Sequence, residues 1–260
     1  MSVTESTETI TGCKVRFMRK GTGAPLLFLH GTSGASRWLP FMEKLSETHE
    51  VIVPEHPGFG ASDSPEWLDN ISDLAFFYLD VFDHLGLEKV NLVGTSIGGW
   101  LAAEIAIRNA TKLSSLTVVA PAGIRVKGVR KGDVFMWSPE ETARNLFYDQ
   151  AFAEAMLAVP QTREGMEILL KNRLTSAKLA WEPRFLNPDL YKWLHRISAP
   201  TLIVWGGNDK AMPVGYAPAW RDLIPNSRLE IIEKCGHLPQ IEKADHFVEL
   251  VNGFIGEVTR

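Results

Sequence analysis

The segment from Val90 to Ile107 constrains the fold of this chain more than any other. An apolar run, Val90-Asn91-Leu92-Val93, meets Gly94-Thr95-Ser96-Ile97-Gly98-Gly99 and passes at once into a helix-like stretch that begins at Trp100. A backbone that turns directly from strand to helix reverses so sharply that side chains two residues either side of the apex collide. Glycine at 94 and 98 removes them and leaves Ser96 at the apex, its hydroxyl exposed at the end of a buried strand. The Ile97 amide and the positive end of the helix then face any oxyanion that forms there.

The rest of the chain supplies a frame for such a turn. Leu26-Leu27-Phe28-Leu29 and Leu202-Ile203-Val204-Trp205 are continuously apolar, which marks strands covered on both faces and a mostly parallel sheet. Strands are predicted near 14–19, 25–30, 50–54, 88–94, 115–120, 200–205 and 228–233. Helical patterns lie near 37–47, 70–85, 97–108, 214–223 and 240–255. This alternation predicts a doubly wound α/β architecture with its working loops at the carboxyl edge of the strands. It breaks between 124 and 197, where four helical signals occur without a convincing strand: Ser138-Pro139-Glu140-Glu141, segments near 150–158 and 162–178, and Asn187-Pro188-Asp189. The expectation is a core of residues 1–123 and 198–260 carrying an all-helical insert, 124–197. At 260 residues and 45% hydrophobic content the chain is large enough for that.

A serine hydroxyl is a weak nucleophile, so a useful Ser96 needs a histidine to take its proton and a carboxylate to orient that histidine. His237 lies in Lys234-Cys235-Gly236-His237-Leu238-Pro239, just after the β-like run Leu229-Glu230-Ile231-Ile232. Asp209 lies in Trp205-Gly206-Gly207-Asn208-Asp209, after the strand Thr201-Leu202-Ile203-Val204. Both are strand-end loops. The turn after Ser115–Val119 reads Ala120-Pro121-Ala122-Gly123 and offers no carboxylate, and the remaining rival, Asp63, sits in a loop from His56 that reads as structural.

The order Ser96, Asp209, His237 matches the arrangement associated with α/β-hydrolases, and His30-Gly31-Thr32-Ser33-Gly34, following Pro25–Leu29, adds a further match. The chain here resembles the α/β-hydrolase superfamily, over nearly its whole length apart from the insert. The resemblance implies that the Thr32 amide joins the Ile97 amide as an oxyanion donor, and that the insert is a helical cap over the site. It also implies a cofactor-independent serine hydrolase that cleaves carboxylic esters of small to medium apolar molecules through an acyl-enzyme. Ser33, Trp137, Phe147 and Leu238 are the candidate pocket residues. The large apolar side chains of the insert, among them Phe135, Met136, Tyr148, Met156, Met166, Trp181, Phe185, Tyr191 and Trp193, are expected mostly to form its own core and its seam with the main domain.

An alternative within the resemblance is hydrolysis of a carbon–carbon bond in a vinylogous 1,5-diketone produced by aromatic ring cleavage. Proteins of that kind usually place Asn before the nucleophile and Trp after the histidine, where this chain has Thr95 and Leu238. Dehalogenases and epoxide hydrolases fit less well, because they use an aspartate where Ser96 stands. A ligand receptor on the same fold, with little turnover, is a reading from a different class.

Other functions are disfavoured by composition. A formal charge of −4 with dispersed charges gives no field for nucleic acid. The run from Val90 to Ile107 is broken by glycines and Glu104, so no membrane span is expected. His30 and His56 read as packing residues, and His49, His84, His195 and His246 as surface or packing residues. No metal-binding spacing appears among the seven histidines. The two cysteines, Cys13 and Cys235, form no disulfide framework, which suits a cytoplasmic protein, and Cys235 reads as filler. No G-x-G-x-x-G occurs, so no cofactor is expected, and the partner is a small-molecule substrate. Nothing in the sequence favours a monomer over a homodimer. The polar start, Met1–Thr9, reads as a disordered lead-in without the marks of a secretory signal.

Overall fold

A computed structural model describes residues 2–258. Eight strands form one sheet: β1 (Thr4–Ile10), β2 (Cys13–Lys20), β3 (Pro25–Leu29), β4 (Glu50–Pro54), β5 (Val90–Thr95), β6 (Leu113–Val119), β7 (Thr201–Gly206) and β8 (Ser227–Ile232). Their spatial order is β1-β2-β4-β3-β5-β6-β7-β8, antiparallel for β1–β2 and β2–β4 and parallel from β4 onward. The nucleophile-like serine therefore follows a central strand.

The helices are α1 (Pro40–Leu45), α2 (Ile71–His84), α3 (Ile97–Arg108), α4 (Pro139–Leu146), α5 (Gln150–Leu157), α6 (Arg163–Ala180), α7 (Ala217–Leu223), α8 (Pro239–Glu242) and α9 (Ala244–Val258). Two apolar cores sandwich the sheet. Leu27 and Leu29 of β3 join the core packed by α2, α3 and α7, whereas Leu26 and Phe28 join the one packed by α1 and α9. A strand that feeds both cores cannot alternate in polarity, which is the physical origin of the continuous apolar runs.

Three expectations need correction. Of the residues read as a disordered lead-in, Thr4–Thr9 form most of β1, Ser2 and Val3 precede it without regular structure, and Met1 lies outside the described residues. Thr11 and Gly12, both at positive φ (44° and 81°), turn β1 back onto β2. Glu8 bonds Arg19 at 2.7 Å and His84 at 2.9 Å, and Glu5 pairs with Arg16 at 2.9 Å. β1 is exposed on both faces almost throughout, so it carries no apolar period to read.

Second, Asn187-Pro188-Asp189 opens two single 3₁₀ turns, Leu190–Lys192 and Leu194–Arg196, rather than an α-helix. The Ser138 capping box, by contrast, forms as read: Ser138 Oγ accepts from the Glu141 amide at 3.1 Å and Glu141 Oε2 from the Ser138 amide at 2.8 Å. Third, the large apolar side chains between β6 and β7 do not make a core of their own. Phe147 and Phe185 are buried, but Met136, Tyr148, Met156, Met166, Trp181, Tyr191 and Trp193 are exposed. α4 and α5 are short and meet the main body at a small cluster built on Ala143, Leu146, Phe147, Ala153 and Ala211, whereas the longer α6 joins the main core through Leu179 and Ala180.

Candidate active site

Ser96 sits at φ 57°, ψ −118°, a conformation that costs an L-residue free energy and persists only where its surroundings impose it. The surroundings are tight. A β-carbon on Gly94 would lie 2.2 Å from the Gly98 carbonyl oxygen, and one on Gly98 would lie 2.2 Å from that of Leu29. The Ser96 amide donates to Val119 O on β6 at 2.9 Å, while its carbonyl accepts from Gly99, Trp100 and Ala122. The backbone is thus tied to β6 and α3, and the side chain remains partly accessible.

The loop after β3 lies against this apex, since a β-carbon on Gly31 would come within 3.3 Å of Ser96 Cβ. Gly31 to Gly34 form a β-turn closed by Gly34 N–H to Gly31 O at 3.2 Å. Such a turn leaves the amide of its second residue, Thr32, outside the closing bond. Ile97 is the first residue of α3, where helical amides have no partner within the helix.

His30 holds this turn from below. Its Nε2 accepts from the His56 amide at 2.9 Å, so its Nδ1 carries the proton donated to Gly31 O at 2.7 Å. The rings of His30 and His56 stack at 3.7 Å. Burial pushes His30 down to about 4 and His56 well below the ordinary histidine range. Both are neutral packing groups, as the sequence suggested.

Asp209 and His237 meet. His237 Nδ1 lies 2.7 Å from Asp209 Oδ2, and Asp209 Oδ1 accepts from the amides of Ala211 and Met212, each at 2.8 Å. A carboxylate only accepts, so Nδ1 carries the proton and Nε2 presents a lone pair. Both residues are buried. The rival acid, Asp63, instead caps the Lys14 amide at 2.9 Å, a structural task.

No hydrogen bond joins the imidazole to Ser96 Oγ in this structure. The link between their loops is Gln240, buried in α8, whose Nε2 donates to Thr95 Oγ1 at 3.3 Å. Gln240 is three residues past His237, and Thr95 immediately precedes Ser96. Catalytic contacts in ligand-free proteins are commonly long and tighten on binding.

The His237 loop also rests on the insert. The His237 amide donates to Leu146 O at 2.7 Å. Glu242, at the end of α8, accepts from Gly236 at 2.7 Å, Tyr148 at 3.2 Å and Asp149 at 2.6 Å. Sequence reasoning missed Gln240 and Glu242, although their position in the four-residue helix after His237 was the available signal. Cys235 is buried beside Glu242 and its thiol is pushed up to about 12, which fits filler rather than a nucleophile.

Among the candidate pocket residues, Phe147 is buried in the seam cluster, with Trp137 and Leu238 packed against it. Phe147 also lines a cleft of about 530 Å³ together with Tyr148, Asn208, Asp209 and Lys210. That cleft opens on the Asp209 side, with neither Ser96 nor His237 in its wall. Ser33 is exposed, and its carbonyl is held by Asn172 of α6 at 3.0 Å. Among the described residues no group of histidine, cysteine, aspartate and glutamate could hold a metal ion, and no helix is long and apolar enough to cross a membrane.

Comparison with known proteins places these features in context. The family described as "Alpha/beta hydrolase family" matches residues 26–250. A 2-hydroxy-6-oxononadienedioate/2-hydroxy-6-oxononatrienedioate hydrolase 2 of Pseudomonas putida is 31% identical over 261 residues, covering 90% of this chain and 89% of the relative. The corresponding hydrolase of Paraburkholderia phymatum is 30% identical, covering 95% and 93%. Among solved structures, a thermophilic esterase from Thermogutta terrifontis aligns with TM-score 0.77 at 25% identity, over 98% of this chain and 99% of that one.

Proposed function

Because the chain belongs to the alpha/beta hydrolase family, we propose that it is a serine-type hydrolase that splits a carbon–carbon bond in the ring-opened dienol left by cleavage of an aromatic ring. The observation that carries this reading is the likeness, across nearly the full length of both chains, to hydrolases named for 2-hydroxy-6-oxo substrates. The ester reading, foremost from the sequence alone, becomes second.

The chemistry follows from the name and the geometry. A hydroxyl on carbon 2 and an oxo group on carbon 6 of a conjugated chain become a vinylogous 1,5-diketone when the hydroxyl proton moves to carbon 5. Ser96 Oγ attacks carbon 6 while His237 Nε2 takes its proton, and the Asp209 carboxylate at Nδ1 steadies the imidazolium. The Thr32 and Ile97 amides hold the oxyanion. As the oxyanion collapses, the bond between carbons 5 and 6 breaks, its electron pair is taken up by the conjugated 2-oxo group, and the imidazolium returns the proton to that fragment. Water, with His237 as base, then releases the acyl group from Ser96 as a carboxylic acid. The helical insert acts as a cap that limits water at the site.

The test compares two substrates on one enzyme. Loss of the dienolate absorbance of a ring-fission product should proceed with a higher kcat/KM than release of p-nitrophenol from short esters. Ser96→Ala should lower turnover at least about 10⁴-fold, because triad members act as a unit. The opposite ranking favours ester hydrolysis, which the likeness to the Thermogutta esterase and the Thr95 and Leu238 substitutions keep as the second reading. A Ser96→Ala protein with near-normal turnover on both would end both readings.

A further inference from the structure

The turn that carries Thr32 is not held by the main body alone. Asn172, in the middle of α6, is 2% exposed and spans two loops. Its Nδ2 donates to Ser33 O at 3.0 Å and its Oδ1 accepts from Gly60 N at 2.9 Å. An amide can only donate and a carbonyl can only accept, so these partners fix the orientation of the side chain. Gly34, at φ +81°, gives Asn172 its access, because a β-carbon there would lie 2.6 Å from Nδ2.

The Ser33 carbonyl and the Gly34 amide belong to one peptide plane. That plane is held at one end by Gly31 O, which also takes the His30 Nδ1 proton, and at the other by Asn172. The bonds run in series from neutral His30 through the turn to α6, and the Thr32 amide shares the peptide plane of Gly31 O, so its direction follows the tilt of the turn between the two anchors. A turn pinned at one end only can rock about that end, and the direction of the Thr32 N–H rocks with it.

Neighbouring side chains of α6 have a different task. Lys171 Nζ bonds Gly60 O at 2.8 Å and Ser62 O at 2.5 Å, and Thr175 Oγ1 bonds Gly58 O at 2.6 Å. They tether the loop from His56 to Asp63 without touching the 31–34 turn.

We infer that Asn172 is a positioning residue for the oxyanion site, acting through the Ser33 carbonyl to aim the Thr32 amide, so that α6 completes the site by docking. The inference rests on the serine-hydrolase reading above. Asn172→Asp keeps the shape and still accepts from Gly60, but cannot donate to Ser33 O. On whichever of the dienol or p-nitrophenyl ester turns over better, it should lower kcat about 10- to 100-fold, part of the 10²–10³-fold lost when an oxyanion donor is removed outright. KM should stay within about threefold. The affinity for a trifluoromethyl ketone, which forms a tetrahedral oxyanion on Ser96, should fall in parallel with kcat. Lys171→Ala, which loosens the 56–63 loop only, should leave kcat and inhibitor affinity near wild type. Asn172→Ser repeats the comparison if the carboxylate prevents folding.

Wild-type kcat in Asn172→Asp, or losses in kcat and inhibitor affinity matched by Lys171→Ala, would overturn the assignment. Labelling of Ser96 by a fluorophosphonate separates the two layers of argument. A labelled Ser96 with an unaffected Asn172→Asp enzyme sinks only the positioning role, whereas an enzyme active without Ser96 sinks the reading beneath it.

Discussion

Glu242→Ala tests whether the His237 loop depends on the insert. The carboxylate is buried and takes three backbone amides, one from the His237 loop and two from the segment joining α4 to α5. A hydrogen bond to a charged acceptor contributes about 1.5–3 kcal/mol net, and a buried amide left without a partner costs about 1–3 kcal/mol. The three bonds share one acceptor, so their losses do not add in full, and water entering the vacated space recovers part. The expected destabilisation is about 4 kcal/mol, near the upper end for a single substitution. For a chain of this size that lowers Tm by roughly 8–16 °C. Urea denaturation of wild type, Glu242→Ala and Glu242→Gln gives the free energies directly. Glu242→Gln should fall between the others, because its oxygen still accepts while its NH₂ group faces donors. The loosened loop should also reduce kcat/KM at 25 °C about tenfold or more, since small displacements of a catalytic base are costly. A loss below about 1 kcal/mol for Glu242→Ala would refute the reasoning, because it would mean that solvent serves these amides as well as the carboxylate does.

Two further predictions concern stability. His30 is depressed by burial to about 4, against about 6.5 in the unfolded chain, so between those values the unfolded state binds the extra proton. Its contribution, of order 3 kcal/mol, is present above pH 6.5 and lost as pH falls toward 4, and the buried His56 acts in the same direction. Denaturation midpoints should decline on acidification through this window, and a flat profile there would contradict neutral burial. The glycines give opposite signs: Gly98→Ala should prevent folding or cost more than about 4 kcal/mol, because its β-carbon meets two carbonyl oxygens. Gly253→Ala, in α9 with nothing within 4 Å, should stabilise by about 0.5–1 kcal/mol in thermal melts.

Sheet and apex were legible because their causes are local: glycines two residues either side of Ser96, and apolar runs on strands that feed two cores. The loops of Asp209 and His237 could be placed because each follows an apolar run, buried throughout in β7 and half-buried in β8. β1 was not legible, since an edge strand wet on both faces has no hydrophobic period. α6 was misleading in a more interesting way. Leu169, Leu170, Leu174 and Met166 face outward, at 62% exposure for Leu174, while Asn172, Thr175 and Ser176 are buried, and only near its end do Leu179 and Ala180 join the main core. What the middle of α6 covers is backbone, the carbonyls and amides of two loops, and such a surface is matched by polar side chains. A pattern of apolar residues reports contact with side chains and is silent about contact with main chain. The Glu242 contacts, all to main-chain amides, were hidden for the same reason, and Gln240, which bonds a side chain, sits in a four-residue helix too short to show a period.

The β1–β2 hairpin has a bearing on solubility. A sheet that ended at β2 would offer unpaired amides and carbonyls beside Val15 and Phe17, which are fully buried here. β1 covers that border with Thr-Glu-Ser-Thr-Glu-Thr, so an approaching strand from another molecule meets acid and hydroxyl groups on both sides. β1 thereby serves the colloidal behaviour of the protein, and removing it would turn a blunt sheet margin into a template for self-association.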